Sequence, residues 1–361
     1  MANELAYGFV QYAHLADERV ENVGVSEVYG MIQASLAEYN RQVNALMMGM
    51  VQRTTDYQVR VKLPGGGTLQ PLDENGNPLP VREEGYYDVA FPIQGGGTAF
   101  GANRVGRALM TVAEANRRTL ESMRRDKDWM RRHILAALLD NATWTYEDEE
   151  HGNLTIQPLA NGDAVTYLRR GGAVSTDSHY LAQAASIDDS NNPFDDIYDE
   201  LIEHPSNADP VVVYVPTNLK PTVTGLTAFV EVGDPDLQYG GSVTRIQGNP
   251  GQFDDTIRGF GDAVLGKVDK CWIVEWKALP SNYMLAHARG AAEPVLKMRE
   301  YPAPELQGFF MEQFSTDGNL NETRMIRYAG LGINNRIGAL VYRVGNGAYG
   351  IPTGYDAPLS V

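Results

Sequence analysis

The sequence predicts an α+β protein, and three observations predict it. One segment in the first half carries an apolar stripe at helical period without a Pro, and with no Gly after Gly106, for roughly 30 residues. An earlier segment alternates apolar and polar residues at period two on both sides of a turn-rich insert. The C-terminal half is a run of short apolar segments that do not alternate with helices in the βαβ manner. Composition agrees with a folded chain: 361 residues with 43% hydrophobic residues can bury a full core.

In chain order, the first periodic segment runs from about Ser26 to Met50, with Val28, Ile32, Leu36, Tyr39, Val43, Leu46 and Met50 on one helical face. The weakly periodic residues before it read as an arm that is ordered only by docking. They lack a basic leader and contain Glu4, Asp17 and Glu18, so no secretory signal is expected. Next come two predicted strands, with Tyr57, Val59, Val61 and Leu63 on one face of the first and Tyr87, Val89, Phe91 and Ile93 along the second. Between them lie Gly65-Gly66-Gly67 and the turn Asp73-Glu74-Asn75-Gly76-Asn77-Pro78, in which Asn-Gly supplies positive φ at little cost. The second strand is expected to end in Gly95-Gly96-Gly97. A two-stranded ribbon of this length is marginal alone in water and needs a partner surface.

Val105, Leu109, Val112, Leu120, Met123, Met130, Ile134 and Leu138 then predict one helix of roughly 35 residues, about 50 Å long. Its outer face offers Glu114–Arg118, Glu121–Arg125 and Asp128–Arg132 at i, i+4, acid first. Arg117, Arg124 and Arg131 recur every seven residues as an unpaired basic row. Beyond it the chain turns acidic at Glu147 to Glu150, with strand candidates at Leu154–Leu159 and Ala164–Leu168. Asn192-Pro193 opens a short helix bearing Phe194, Ile197, Tyr198 and Leu201. Strands are expected at Val211–Val215, Cys271–Trp276, Tyr283–Ala288, Val295–Met298, Phe309–Phe314, Met325–Gly330 and Ala339–Val344.

Charge is divided unevenly. The formal net charge is −16, yet Gly101 to Leu139 holds nine basic and four acidic residues, so the rest of the chain carries −21. The average field repels a polyanion, whereas the one basic segment suits either phosphates or neighbouring carboxylates. No stretch approaches the ~18 apolar residues of a membrane span.

Signals for chemistry are weak. Gly261 to Lys267 matches a phosphate-binding loop except that Val268 stands where Ser or Thr must hold magnesium, so a tight turn before a strand is expected. His14, His133, His151, His179, His204 and His287 show no ligand spacing, and the single Cys271 sits in an apolar run. Asp188-Asp189 with Asp195-Asp196 lacks the spacing of a calcium loop. No catalytic, cofactor-binding or metal-binding residue and no cofactor is therefore assigned.

The order of arm, ribbon, single long helix and strand-rich α+β half resembles the HK97-like major capsid proteins of tailed double-stranded DNA bacteriophages. Trp272-Ile-Val-Glu-Trp276, Leu279-Pro-Ser-Asn-Tyr283, Pro294-Val-Leu-Lys-Met-Arg299 and Arg336-Ile-Gly-Ala-Leu-Val-Tyr342 look like that family's late strands and turns. The resemblance implies an N-terminal arm and helix at 1–50, an extended hairpin (E-loop) at 51–103, and a peripheral domain with its spine helix at 104–190. It further implies an axial domain at 191–294, peripheral return strands at 295–335, and a terminal strand and tail at 336–361. It implies a non-enzymatic shell subunit that assembles with itself into hexamers and pentamers and expands from a procapsid. Its implied partners are a separate scaffolding protein, a portal, a decoration protein and non-specifically held double-stranded DNA in a virion, with assembly in the host cytoplasm. On this reading Tyr57, Val59, Val61, Lys62, Asn75, Gly76, Tyr87 and Phe91 are the E-loop residues that meet a neighbouring subunit. Arg117, Arg124 and Arg131 face DNA or pair with subunit carboxylates. Lys62 is the only lysine on the ribbon, but neither it nor Asn334 and Asn335 sits in a matching cross-linking motif, so no covalent bond is expected. Two other readings fit the sequence: an encapsulin-like nanocompartment shell, and a soluble α+β enzyme or binding protein with a site in the acidic middle region.

Overall fold

Two apolar stripes decide where the helices lie. In the computed structural model, which describes residues 17–47, 50–62, 71–78, 86–103, 109–232, 261–316 and 320–359, the short helix Val20–Val23 is followed by the first long helix, Val25–Met47. The latter buries Val28, Ile32, Leu36, Tyr39 and Val43 of the predicted face, together with Met47; Met50, predicted on the same face, is buried just past the helix end. The arm before residue 17, Leu63, the glycine run 65–67, the side chain of Leu46 and the Arg104–Gly106 start of the predicted long helix lie outside the described residues.

The long helix is Val112–Leu139, 28 residues, so it is about 42 Å long and starts later than the periodicity suggested. The reason is a cap. Thr111 has extended backbone and its hydroxyl accepts from the Glu114 amide at 3.2 Å, the Thr-x-x-Glu start signal. Leu109, assigned to the stripe, precedes the cap and is 55% exposed. Past the cap the stripe holds: Val112, Met123, Met130, Ile134 and Leu138 are buried.

These helices pack on a five-stranded sheet. Its central strand Leu320–Ile333 pairs along one edge with Phe309–Thr316. Its other edge is shared between Gln94–Asn103, opposite residues 320–329, and Leu296–Arg299, opposite 330–333; Val51–Thr54 adds in parallel to the latter. The strand Gln94–Asn103 corrects the expectation that Gly95-Gly96-Gly97 ends the ribbon. The glycines lie inside a strand because two large rings cover it: a Cβ on Gly96 would stand 2.8 Å from the Trp129 indole, and one on Gly95 would stand 2.9 Å from Tyr328. Gly330 likewise leaves room for the Pro92 carbonyl, which a Cβ would overlap.

A mixed seven-stranded sheet runs in the order Phe229–Glu231, Ala263–Val268, Cys271–Glu275, Val211–Val215, Tyr283–Ala288, Ala339–Val344, Tyr180–Gln183. Its central strand Val211–Val215 is buried on both faces. Val212 and Tyr214 face the core that contains the long helix, while Val211, Val213 and Val215 face a second core under the helix Phe194–Ile202. This sheet thus joins the two cores through a period-two strand. The segment Ala263–Val268, expected to turn before a strand, is itself a strand paired with Cys271–Glu275. The tight turn falls after it, where Asp269 takes φ 50°. Three two-stranded hairpins lie outside these sheets: Gln58–Lys62 with Tyr86–Ala90, Trp144–Asp148 with Gly152–Ile156, and Thr166–Leu168 with Val174–Thr176.

Buried ion pairs tie these parts together. Arg327, on the central strand, donates to both Asp126 oxygens at 2.7 and 2.8 Å, and Tyr39 from the helix Val25–Met47 donates to the same carboxylate at 2.8 Å. One carboxylate therefore joins two helices and a sheet. Arg299 does similar work on the other side, donating to Asp148 at 2.6 Å and to the Phe91 carbonyl at 3.1 Å.

Candidate functional site

The ribbon and the outer face of the long helix are where the sequence placed its candidate residues. In the ribbon, Val59 stands opposite Val89 and Val61 opposite Tyr87, while Lys62 pairs with Tyr86 at the end of the ladder. Among the described residues the hairpin joins no other sheet. Its exposed face carries Arg60, which holds Asp88 through two bonds of 2.7 and 2.9 Å and lies 4.0 Å over the Tyr86 ring. Those bonds keep the Asp88 carboxyl below the usual carboxylate range.

The other predicted ribbon residues divide by burial. Tyr57 is 38% exposed and stacks on His151 at 3.8 Å between ring centres. Val59 and Val61 are half-buried and, with Tyr87, line a cleft of about 570 Å³ that continues along Tyr167, Pro205 and Asn334. Tyr87 meets the Tyr167 ring edge-on at 6.3 Å, and burial pushes its hydroxyl up. Phe91 is fully buried at the ribbon's root against Gly332, so its side chain serves this chain's own core and is not available to a neighbour.

Asn75 and Gly76 occupy a turn within the exposed segment 71–78. The Asp73 carboxylate accepts from the amides of Asn75 and Asn77 at 2.9 and 2.7 Å, and Gly76 takes φ +79°. Short local bonds thus shape this turn.

On the long helix the expected unpaired row is mostly paired. Glu114 accepts from Arg117 at 2.9 Å and from Arg118 at 2.7 Å, which pulls its carboxyl down to about 2. Arg131 takes Asp128 at i, i+3, the partner assigned to Arg132, and Arg125 takes Glu121 as expected. Among the described residues Arg124, Lys127 and Arg132, all exposed, make no ion pair. The cationic surface left over is therefore 124, 127 and 132, not 117, 124 and 131. Spacing along the helix could not separate i+3 from i+4 partners, since both reach the same acid.

Elsewhere the acidic groups serve local structure. Asp188 accepts from the amides of Ser190 and Asn191, and Asp189 from both the amide and the hydroxyl of Thr227. Cys271 is fully buried and donates to the Phe194 carbonyl at 3.4 Å; burial raises its thiol well above the usual range. One group the sequence reading missed is brought together from separate elements: Asp177, Glu203 and His204 place ligand-type atoms within 4.8 Å of one another. Only the Glu203-His204 neighbours were a local signal.

Arm helix, ribbon root, long helix over a five-stranded sheet, and a second sheet with its own core constitute the HK97-like fold. The chain is similar to a solved structure from Mycobacterium phage Patience, with TM-score 0.63 and 19% identity, covering 96% of each chain. It is also similar to the capsid of a native GTA particle, with TM-score 0.47, 11% identity, and 84% and 91% of the two chains covered. The holo-SrpI encapsulin complex from Synechococcus elongatus PCC 7942 matches with TM-score 0.43 and 11% identity over 84% and 86%. No family model and no curated protein matches the sequence. Among the described residues no helix is long and apolar enough to cross a membrane.

Proposed function

We propose that this chain is a major capsid protein that closes into an icosahedral shell around the double-stranded DNA of a tailed phage. The observation that carries the reading is the ribbon: a hairpin that among the described residues joins no other sheet, with an exposed preformed turn, on a fold shared over 96% of its length with a phage structure. A two-stranded hairpin gains stability by laying its face on another surface, and a neighbouring copy supplies one. Hexamers and pentamers, an E-loop spanning 51–103, a peripheral domain around the long helix and an axial domain at 191–294 belong to this reading. So do a separate scaffolding protein, a portal, a decoration protein, expansion from a procapsid and assembly in the host cytoplasm. Shell energy comes from many modest interfaces per copy, with apolar burial supplying affinity and charge setting register. The fold's role is structural, without catalysis.

The test is sedimentation and negative-stain microscopy of the purified protein and of a variant lacking Gly66 to Pro80. The full chain should form rings or closed particles, and the deletion should remain a folded subunit that forms neither. A full chain that stays monomeric at high concentration, or normal particles from the deletion, would overturn the reading. Denaturing electrophoresis of the particles should return a band near 40 kDa, as expected for a 39.7 kDa chain without cross-links.

A further inference from the structure

Between the hairpin 166–176 and the end of the helix Phe194–Ile202 lies a buried group of ionisable side chains. Asp177 follows the hairpin's second strand, and Glu203 and His204 follow the helix. His204 is 1% exposed. Its Nδ1 lies 3.1 Å from the Leu168 carbonyl, which can only accept, so Nδ1 carries a proton. Its Nε2 faces Asp177 Oδ2 at 3.0 Å and Glu203 Oε1 at 3.7 Å. In the neutral ring that nitrogen is a lone pair aimed at two acceptors. Something positive must sit between them, either a second proton or a metal ion.

We propose that Asp177, Glu203 and His204 form a binding site for a divalent transition-metal ion, Zn²⁺ matching the donor set best, which fastens the hairpin to the helix end. Ligands about 2.0–2.2 Å from an ion stand about 3–3.5 Å apart; the separations from His204 Nε2 are 3.0 and 3.7 Å and all three donor atoms lie within 4.8 Å of one another, so a bound ion would draw them slightly together. The ring is also held as a ligand requires, with the far nitrogen donating to a backbone carbonyl. Asp177 is oriented in the same way, since its other oxygen accepts from the Ser178 amide at 2.7 Å.

The surroundings accept added positive charge. The neighbouring groups are Asp163, Asp177 and Glu203 against Arg169 and Arg336, a formal −1 when both histidines are neutral, while burial and the charge of Asp177 push the Glu200 carboxyl up to about 7. Arg169 lies 3.0 Å from Glu203 Oε1 and Arg336 3.3 Å from Asp163, so both cations are already counted. The site also sits at a helix C-terminus, whose partial negative charge favours a cation, and that last turn contains no basic residue. His179 stands beside the group. It is 2% exposed, its Nε2 lies 3.8 Å from Asp163 Oδ2, and its Nδ1 points at the same Asp177 Oδ2 from 3.8 Å. Closing that gap would supply a supporting donor or a further ligand.

The test is titration calorimetry of the EDTA-stripped, buffer-exchanged full chain with ZnCl₂, with MgCl₂ as control, followed by metal analysis after dialysis. About one Zn²⁺ per chain should be retained, with a higher melting temperature and no response to Mg²⁺. Glu203→Gln, at a half-buried position that tolerates an amide, should keep the wild-type circular dichroism and bind Zn²⁺ at least ~10-fold more weakly. Asp177→Asn should do the same, and if that variant does not fold, Glu203→Gln decides alone. Absence of Zn²⁺ uptake by the wild type, or equal uptake by the Glu203→Gln variant, would overturn the site. So would a melting temperature that falls from pH 6 to pH 8 equally with and without Zn²⁺, since that assigns the second proton to Nε2.

Discussion

The two long faces of the helix Val112–Leu139 use the same chemistry for opposite ends. On the inner face one arginine meets one aspartate, Arg327 with Asp126, both side chains 2% exposed. On the outer face a succession of arginines meets glutamates and aspartates, with the arginine side chains of Arg117 and Arg125 more than half exposed. The inner pair has no water to replace a lost partner, so it fixes where two helices and a strand meet. The outer pairs are solvated and interchangeable: Glu114 serves two arginines and Asp128 has taken a different one from the expected. Geometry is decided inside and charge is presented outside.

Removing the inner acid should produce the largest effect. Asp126→Ala leaves the Arg327 guanidinium buried without its partner and strips Tyr39 of an acceptor, at an expected cost of about 3–5 kcal/mol in urea unfolding. The double variant Asp126→Ala with Arg327→Met should recover most of that loss, because no charge then remains buried. A loss under about 1 kcal/mol for the single variant would put the inner pair in the same class as the outer ones.

Acid should separate the two classes next. At Asp148, burial pushes the carboxyl up, but the bond from Arg299 and the amides of Glu150 and His151 outweigh it and hold it below the usual range. A depressed carboxylate contributes stability that is present above its unfolded value of about 3.9 and is lost as pH falls through the folded one. Asp148→Asn should therefore be less stable than wild type near neutral pH, and the gap should narrow on acidification below about pH 4. A gap that stays constant with pH would assign the effect to packing.

What could be read from the sequence follows the same division. Both helix faces and the buried central strand Val211–Val215 were legible because burial imposes a period on apolar residues. The Gly95–Gly97 run misled, since a glycine chosen for the closeness of Trp129 looks the same as one chosen for a turn. The buried ions were missed because charge was read as solvated surface. Yet Asp126 falls three residues after Met123 and four before Met130, on the apolar stripe itself, and Arg327 alternates with buried Met325 and Ala329. A charged residue in phase with buried neighbours was the available signal. For Asp177 with Glu203 and His204 it was not, since only the packing of a hairpin on a helix end brings them together.

The outer face should give the smallest effect on stability and a separate one on binding. Arg124, Lys127 and Arg132 are exposed cations without an ion pair among the described residues, so changing all three to Gln should leave the urea midpoint within error of wild type. If this face meets packaged DNA, each phosphate contact removed should flatten the plot of log K against log salt by about 0.9 for duplex DNA. Arg117 and Arg131 are already neutralised by Glu114 and Asp128, and changing them to Gln should alter the slope less. Equal slopes for both variants and the wild type, measured on purified subunits by fluorescence anisotropy, would remove DNA from this face and leave its cations to carboxylates of adjoining subunits. That outcome would sharpen the comparison, because the outer charges would then differ from the inner pair only in being made between chains.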